Sequence, residues 1–538
     1  MALTRSSTSR LVQFFIFLIL YSMVNLNAAS IYVSVKGDDN NNGLSSSFPK
    51  NTPQLAFDLI NAGDTLFFME GEYSAANGES ILKITKSGTA EKRIHIRNYR
   101  NDKVILYSFK ESALFIKGAS YISIFGFDIT KDPKSQKAAD NSTNPSVLFQ
   151  KGQGILVDRS ADNTFSHDIT ISSCKIHNCL GSGIQLNDIY NFNLQYNEIY
   201  NNGYYNFSSN SGIKISMVTP PDSSSLYQNF INGNKIYFHR RLKSDAKIED
   251  DCALKGNGSG IFIRKSNNSR SAMNATENKS RVLISNNLIY AHGGIGINLY
   301  NSKNIDVFNN TMYENNEANS FDCADLNIRF ASFINVYNNI IISRDNRKAS
   351  FYINAQDIFF SNNLYRSGTK FENGKGDIVS DPLFVSADAF TNSWDFNLQV
   401  ESPAIDRGIE LVSLQNDINL NPRKTGKKMD IGAVEYQKPI AGDGRMPSGF
   451  RKDAGIEFNW TLTYDPKRQL YTVTNQSNQA FYYTIYDIFY RPVRKLSHLD
   501  YNDLYSIEIP LKNLPKGFYF MRVYTDKKFF VSKFYKED

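Results

Sequence analysis

Cysteine is nearly absent from this chain: Cys174, Cys179, Cys252 and Cys323 are the four among 538 residues. Their spacing fits no zinc site, and four in so long a chain cannot build a disulfide scaffold. They are expected to behave as small buried hydrophobes with at most one bridge, and no thiol chemistry is assigned to them. Charge of one sign is scant too. Lysine and arginine outnumber aspartate and glutamate only by 60 to 53, and the surplus is spread along the chain. No dense basic stripe of the kind that follows a phosphate backbone is present, which argues against nucleic acid as the main partner. The small surplus leaves room for a local basic groove facing an acidic ligand. Past the N-terminus there is no second long apolar run, so no transmembrane segment is expected after residue 29. Helical spacing is missing from residues 150–365.

What is present argues for a large folded body. Hydrophobic residues make up 41% of the chain and aromatics 13%, which excludes disorder for most of it. The N-terminus reads as a signal peptide over residues 1–29. Arg5 and Arg10 supply positive charge, Leu11 to Val24 is mostly apolar, and Asn27-Ala28-Ala29 offers a small-residue exit. A secreted or cell-surface location follows as the expectation.

Residues 150–365 carry a repeat that can be counted. Gly154-Ile-Leu-Val-Asp158, Gly183-Ile-Gln-Leu-Asn187, Gly212-Ile-Lys-Ile-Ser216, Gly260-Ile-Phe-Ile-Arg264 and Gly296-Ile-Asn-Leu-Tyr300 share one pattern, and Asp325-Leu-Asn-Ile-Arg329 falls in phase. Each alternates apolar and variable residues, as a short strand buried on one face does. A second column holds Asn197-Glu-Ile-Tyr200, Asn234-Lys-Ile-Tyr237, Asn287-Leu-Ile-Tyr290 and Asn310-Thr-Met-Tyr313, and continues in shortened form at Asn339 and Asn363. Equivalent asparagines in successive coils predict a ladder, each amide bonding the next at a tight turn. Short strands recurring at this period are the mark of a solenoid. The fold class is therefore all-β: a right-handed parallel β-helix over residues 30–437, a linker over 438–455, and a small immunoglobulin-like β-sandwich over 456–538.

The two columns resemble the right-handed parallel β-helix proteins of the pectate-lyase superfamily, above all the family-9 pectate lyases. The opening Ile31-Tyr-Val-Ser-Val-Lys-Gly-Asp-Asp-Asn40, followed by Ala56-Phe-Asp-Leu-Ile60 and Gly63-Asp-Thr-Leu66, is similar to theirs. The resemblance implies a short helix that caps the open end of the coil. Asp381-Pro-Leu-Phe384, Ser402-Pro-Ala-Ile-Asp-Arg-Gly408, Asn421-Pro-Arg423 and Asp430-Ile-Gly-Ala-Val-Glu-Tyr436 resemble the choice-of-anchor segment that ends many secreted bacterial β-helices. Its acids, Asp406, Asp430 and Glu435, are read as turn and cap residues. Gly517-Phe-Tyr519 and Lys533-Phe-Tyr535 resemble the close of a type IX secretion sorting domain, which implies the type IX machinery as a partner.

In a strand written Gly-Ile-x-Ile-x both variable positions face outward. They form two rows. The first is Leu156, Gln185, Lys214, Phe262, Asn298 and Asn327; the second is Asp158, Asn187, Ser216, Arg264, Tyr300 and Arg329. Amides, aromatics and cations in line suit an acidic polysaccharide, and two long intervals, 239–259 and 265–280, flank the Gly260 strand as groove walls. Cleaving a uronic-acid polymer by β-elimination removes the proton beside the carboxylate, so the site needs a base and a cation that neutralises the carboxylate. Lys214 is the candidate base, with Arg264 as its catalytic partner. Gln185, Asn298, Tyr300 and Arg329 are the candidate substrate-binding residues. Glu249, Asp250 and Asp251, joined by Asp158, are the candidate ligands for Ca²⁺. His239, His292 and Lys255 are the reserve candidates for the base. The reading is a secreted lyase acting as a monomer on a uronan such as pectin. The alternatives are a non-catalytic glycan-binding or adhesin-type surface protein and a glycoside hydrolase. Asp250-Asp251 suits the hydrolase, but the other motifs of galacturonan hydrolases are missing.

Overall fold

The computed structural model describes residues 28–75, 78–133, 152–203, 210–217, 227–239, 258–265, 281–317, 323–366, 369, 371–388, 393–411 and 414–437, and the strands between 460 and 536. The chain is a right-handed parallel β-helix. Each coil lays one strand on each of three faces, and the three strand columns run parallel to one another. Ile155–Asp158, His167–Ser172 and Lys175–His177 make up one such coil. The Gly-Ile strands stack as the sequence predicts: Ile155 pairs with Ile184, Ile184 with Ile213, Ile213 with Ile261, Ile261 with Ile297, and Ile297 with Leu326. All six side chains are fully buried and form part of one core that runs the length of the solenoid. The first coil is closed by the helix Pro53–Asp58, which starts on proline and buries Ala56 and Phe57 against the core. An end left open would expose strand edges.

The asparagine ladder is present at the corner between the second and third faces. Nδ2 of Asn197 donates to Oδ1 of Asn234 at 3.0 Å, Asn234 to Asn287 at 2.9 Å, Asn287 to Asn310 at 2.9 Å, Asn310 to Asn339 at 3.0 Å and Asn339 to Asn363 at 3.0 Å. Each Oδ1 also accepts the backbone N–H of the preceding coil's asparagine, as Asn234 does from Asn197 at 3.0 Å. The column begins at Cys174, whose N–H donates to Asn197, and ends at Asp377, which accepts from Asn363. Cys174 is a buried cysteine standing where later coils place asparagine. The residue before each ladder position is left-handed, with φ of 52° at Ser173, 57° at Asn286, 52° at Asn309, 57° at Asn338 and 53° at Asn362. Asparagine tolerates that conformation better than most residues. The paired asparagines in the sequence are therefore one turn former followed by one ladder rung.

A second ladder, not anticipated from the sequence, fills the corner between the third face and the Gly-Ile strands. Cys179 N–H donates to Asn202, His239 N–H to Nδ1 of His292 at 3.1 Å, His292 N–H to Asn315 at 3.2 Å, and Asn315 N–H to Asp325 at 3.0 Å. These side chains lie directly under the repeat glycines. A Cβ on Gly183 would sit 2.9 Å from the Asn202 amide, on Gly212 2.9 Å from Nε2 of His239, and on Gly260 2.8 Å from Nε2 of His292. The glycine that opens each strand leaves no room for a side chain, because the third-face isoleucines (Ile199, Ile236 and Ile289), the next coil's backbone oxygen and the ladder side chain all crowd the Cβ position.

Residues 381–436 turn back and pack along the outside of the third face. Phe384, Phe396, Leu398, Ile418 and Val434 join Leu288, Tyr290, Ile340 and Leu364 in a second core. The left-handed asparagines pin this segment. Asn286 donates to Asn416 O, Asn309 to Asp430 O, Asn338 to Ile409 O and Asn362 to Arg407 O. The carboxylates of Asp406, Asp430 and Glu435 accept backbone N–H groups of Lys428, Tyr436 and Asp430 respectively, which is turn-capping work. Farther along the chain two antiparallel sheets follow, one of three strands and one of four, as an immunoglobulin-like sandwich requires. Cys323 is disulfide-bonded, and Cys179 is a free buried thiol. No helix among the described residues is long and apolar enough to cross a membrane.

Burial holds the His239 imidazole down at about 3, far below the ordinary histidine value of 6.5. Between those values the unfolded chain binds a proton that the folded one refuses, so stability present above pH 6.5 is lost as pH falls. Asp325, pushed up to about 6 by burial, acts in the opposite sense, its contribution fading as pH rises through 6. Replacing only the histidine separates the two. His239→Asn, which copies the Asn202 and Asn315 rungs, is expected to flatten the loss of denaturant midpoint between pH 7.5 and pH 5. Parallel curves for variant and wild type would show that His239 does not set the acid limit.

Candidate functional site

The outward rows of the Gly-Ile face lie almost as the sequence predicts. In the first row Leu156 pairs with Gln185, Gln185 with Lys214, Lys214 with Phe262, Phe262 with Asn298, and Asn298 with Asn327. In the second, Ser216 pairs with Arg264, Arg264 with Tyr300, and Tyr300 with Arg329. Upstream of Ser216 that row is broken. A register shift between Leu186 and Ile189 takes Asn187 out of line, and Asn187 instead donates to Asp158 at 3.4 Å.

Four of the singled-out side chains share a half-buried stretch of this face: Lys214, Arg264, Tyr300 and Arg329. Lys214 sits one coil before Arg264 and in the adjacent row. Burial, reinforced by the Arg264 guanidinium, lowers its ammonium from 10.5 to about 8. A lysine in that state carries a substantial neutral fraction near pH 8, which is what a general base requires. Nε of Arg264 is buried with no hydrogen-bond partner among the described residues, although the side chain reaches solvent. Tyr300 packs edge-on against Phe330 at 5.6 Å, and Arg329 lies over the Phe351 ring at 5.7 Å. The result is a strip of cation, aromatic and cation beside a depressed lysine.

The remaining candidates sort differently. Gln185 lies one coil before Lys214, its amide donating to Asn187 at 3.1 Å and accepting from Gln153 at 3.4 Å. Asn298 faces outward but is fully buried and accepts from Asn327 at 3.3 Å, so it braces the floor rather than meeting a ligand. Asp158 accepts from Arg159 N–H at 2.9 Å and from Asn187. Among the described residues, no three acid, histidine or cysteine side chains converge where they could hold a metal ion. Glu249, Asp250, Asp251 and Lys255 lie outside the described residues, as do most of the two intervals expected to form walls. His239 and His292 are interior rungs of the second ladder and fully buried, so neither serves as a reserve base. Their signal was in the sequence all along: Tyr200-Asn-Asn202, Tyr237-Phe-His239, Tyr290-Ala-His292 and Tyr313-Glu-Asn315 repeat one spacing.

The register of these strands invites comparison with known proteins. Residues 31–215 match the family described as Pel9A-like, right handed beta helix region. The match covers about a third of the chain and takes in Gln185 and Lys214, while Arg264, Tyr300 and Arg329 lie beyond it. Pectate lyase PEL9 of Emericella nidulans is 31% identical over 133 residues, 22% of this chain and 32% of the relative, so the match spans about a third of that protein's length. The crystal structure of pectate lyase Pel9A aligns at a TM-score of 0.46 with 16% identity, over 76% of this chain and 97% of the other. A structure described as a glycoside hydrolase aligns at 0.44 with 10% identity, over 65% and 96%.

The Lys214–Arg264 coupling is open to direct measurement. Arg264→Gln is expected to move the Lys214 ionisation upward, read as a higher midpoint in the pH dependence of its reaction with an amine-selective acylating reagent followed by mass spectrometry. An unchanged midpoint would mean that burial alone depresses the lysine.

Proposed function

We propose that this chain is a secreted polysaccharide lyase that cleaves a uronic-acid polymer by β-elimination. The observation that carries the reading is Lys214, on an outward strand row one coil before Arg264, where burial and that guanidinium lower its ammonium to about 8. The match of residues 31–215 to a Pel9A-like region supports a pectate-lyase-like activity over the hydrolase alternative. In the proposed step Arg264 pairs with the substrate carboxylate and stabilises the charge that develops when the neighbouring carbon loses its proton. Neutral Lys214 takes that proton. The electron pair left behind forms the double bond of the unsaturated sugar, and the glycosidic oxygen departs with its own pair and is protonated from solvent. Tyr300 and Arg329 bind the chain farther along, and Gln185 holds the floor on the other side of Lys214. Asp158, Glu249, Asp250 and Asp251 are the residues that would hold calcium, which would neutralise the substrate carboxylate; no step here is routed through it.

Lys214→Ala is expected to lower turnover on uronan by ~10²-fold or more with little change in binding. Arg264→Ala should impair both, because it acts on ground and transition states alike. The wild-type kcat/KM should rise through a limb near pH 8, followed by the ultraviolet absorbance of the unsaturated product, and should survive exhaustive chelation if arginine alone neutralises the carboxylate. Equal turnover by wild type and Lys214→Ala would remove lysine as the base.

Residues 1–29 are proposed as the export signal, residues 381–436 as a choice-of-anchor-like closing segment and residues 456–538 as a type IX sorting module joined by the 438–455 linker. Deleting 456–538 is expected to trap a folded solenoid in the periplasm, detected by fractionation. Delivery of the truncated chain to the surface would reduce that module to a spacer or binder.

A further inference from the structure

The segment that packs along the outside of the third face closes over a group of charges that the lyase reading does not use. Asp417, Arg423, Asp430 and Glu435 are each no more than 2% exposed. Together they set three carboxyl groups against one guanidinium, shut away from water. Arg423 reaches from the segment to the solenoid, where its Nε donates to Oδ1 of Asn286 at 3.1 Å and its Nη2 to Asn309 O at 3.5 Å. Its Nη1 lies 3.7 Å from Oε2 of Glu435. The cluster therefore stands at the joint between the segment and the coils.

The three acids are not equivalent. The two oxygens of Asp417 accept Asn421 N–H at 2.7 Å and Glu435 N–H at 2.9 Å. Those of Asp430 accept Asp406 N–H at 2.7 Å and Tyr436 N–H at 2.6 Å. Short bonds of that kind suit an ionised carboxylate. Glu435 has longer contacts, Thr425 N–H at 3.3 Å and Asp430 N–H at 3.1 Å, and the second brings it up against Asp430. One guanidinium cannot offset three buried negative charges, so the excess is relieved by a proton at Glu435. Burial first, and the Asp430 charge second, push the Glu435 carboxyl up to about 8. Burial also pushes Asp430 up to about 6 and raises Asp417. Among the described residues, Asp406 adds a negative charge beside Asp430. Tyr196, from the second face, and Tyr436, with Glu401 near it, are raised by burial and stay neutral. Lys424 and Glu410 pair with each other at the surface.

We propose that the segment is a proton-controlled clasp: a proton on Glu435 keeps residues 414–436 seated on the solenoid, and its loss loosens them. The ordinary glutamate value is 4.5 and the seated one about 8, so between them only the seated form binds the proton. Seating is strongest below the lower value, weakens by ~10-fold per pH unit up to the higher one, and is level beyond it. Asp430 adds the same trend between 3.8 and about 6. Above pH 6.5 neither His239 nor Asp325 changes its share, which leaves the window from 6.5 to about 8 to Glu435.

The test is hydrogen exchange of the full chain read by mass spectrometry, with protection corrected for the pH dependence of the chemical step. Peptides from 414–436 report the clasp, and peptides from 184–200 serve as the solenoid reference. Protection of the clasp is expected to fall ~10-fold per pH unit from about pH 6.5 to about 8 and then level, while the reference holds. Glu435→Gln keeps the shape without the charge. It is expected to abolish that slope and to exceed the wild type in protection by ~10-fold or more at about pH 8.5. Glu410→Gln, in the surface pair, should leave the slope as it is. Flat protection of the wild-type clasp across that window would overturn the proposal, whether or not Glu435→Gln folds. A slope shared in full by the reference peptides would overturn it too, as would one that Glu435→Gln retains.

Discussion

A coil that turns three corners must bury backbone amides at each of them, and water cannot reach those amides. The asparagine column answers that demand at one corner, with each Oδ1 accepting both a side-chain and a backbone N–H from the preceding coil. An amide hydrogen bond contributes only about 1 kcal/mol net, but an abandoned buried donor costs about 1–3 kcal/mol. Satisfying two donors with one oxygen, coil after coil, is what allows identical turns to stack. Everything on the Gly-Ile face inherits this alignment. Arg264, Tyr300 and Arg329 share a line because Asn287, Asn310 and Asn339 hold the coils beneath them in phase.

The second ladder, together with the third-face isoleucines beside it, explains why the neighbouring strands open on glycine. Sequence inspection picks out Gly183, Gly212 and Gly260 by their period, but it cannot say what each makes room for. The structure supplies Asn202, His239 and His292, each within 3 Å of the missing Cβ. Two histidines that look like candidate bases thereby become parts of the interior.

Much of the fold was legible because period-two patterning and a recurrent asparagine are local signals. Ile155, Ile184, Ile213, Ile261 and Ile297 each announce an inward strand position, and each is buried. The outer rows were legible for the same reason up to the register shift after Leu186, which alternation alone does not reveal. What sequence could not give is environment. That Lys214 is depressed to about 8 depends on burial and on Arg264, fifty residues away in the chain. That Asn298 is covered while Tyr300 is not depends on packing around the strand. The acids at Glu249, Asp250 and Asp251 belong to a stretch without repeat spacing, where neither periodicity nor the described structure speaks.

The polar column that begins at Cys174 also grades cohesion along the solenoid. Coils before it are joined by sheet hydrogen bonds and the isoleucine stack. Coils after it add a rung each, and those from Asn286 onward are strapped from outside by residues 405–436 as well. In a repeat protein, cohesion is the sum of contacts between nearest neighbours. By that sum the strapped coils carry polar ties along two sides, and the coils before Cys174 rely on the sheet, the isoleucine stack and the cap helix. Lys214 sits in a coil held by the Asn234 rung alone, while Arg329 lies in the part that is strapped as well, so the strip that would hold a sugar chain is anchored on one side at its first end and on two sides at its last.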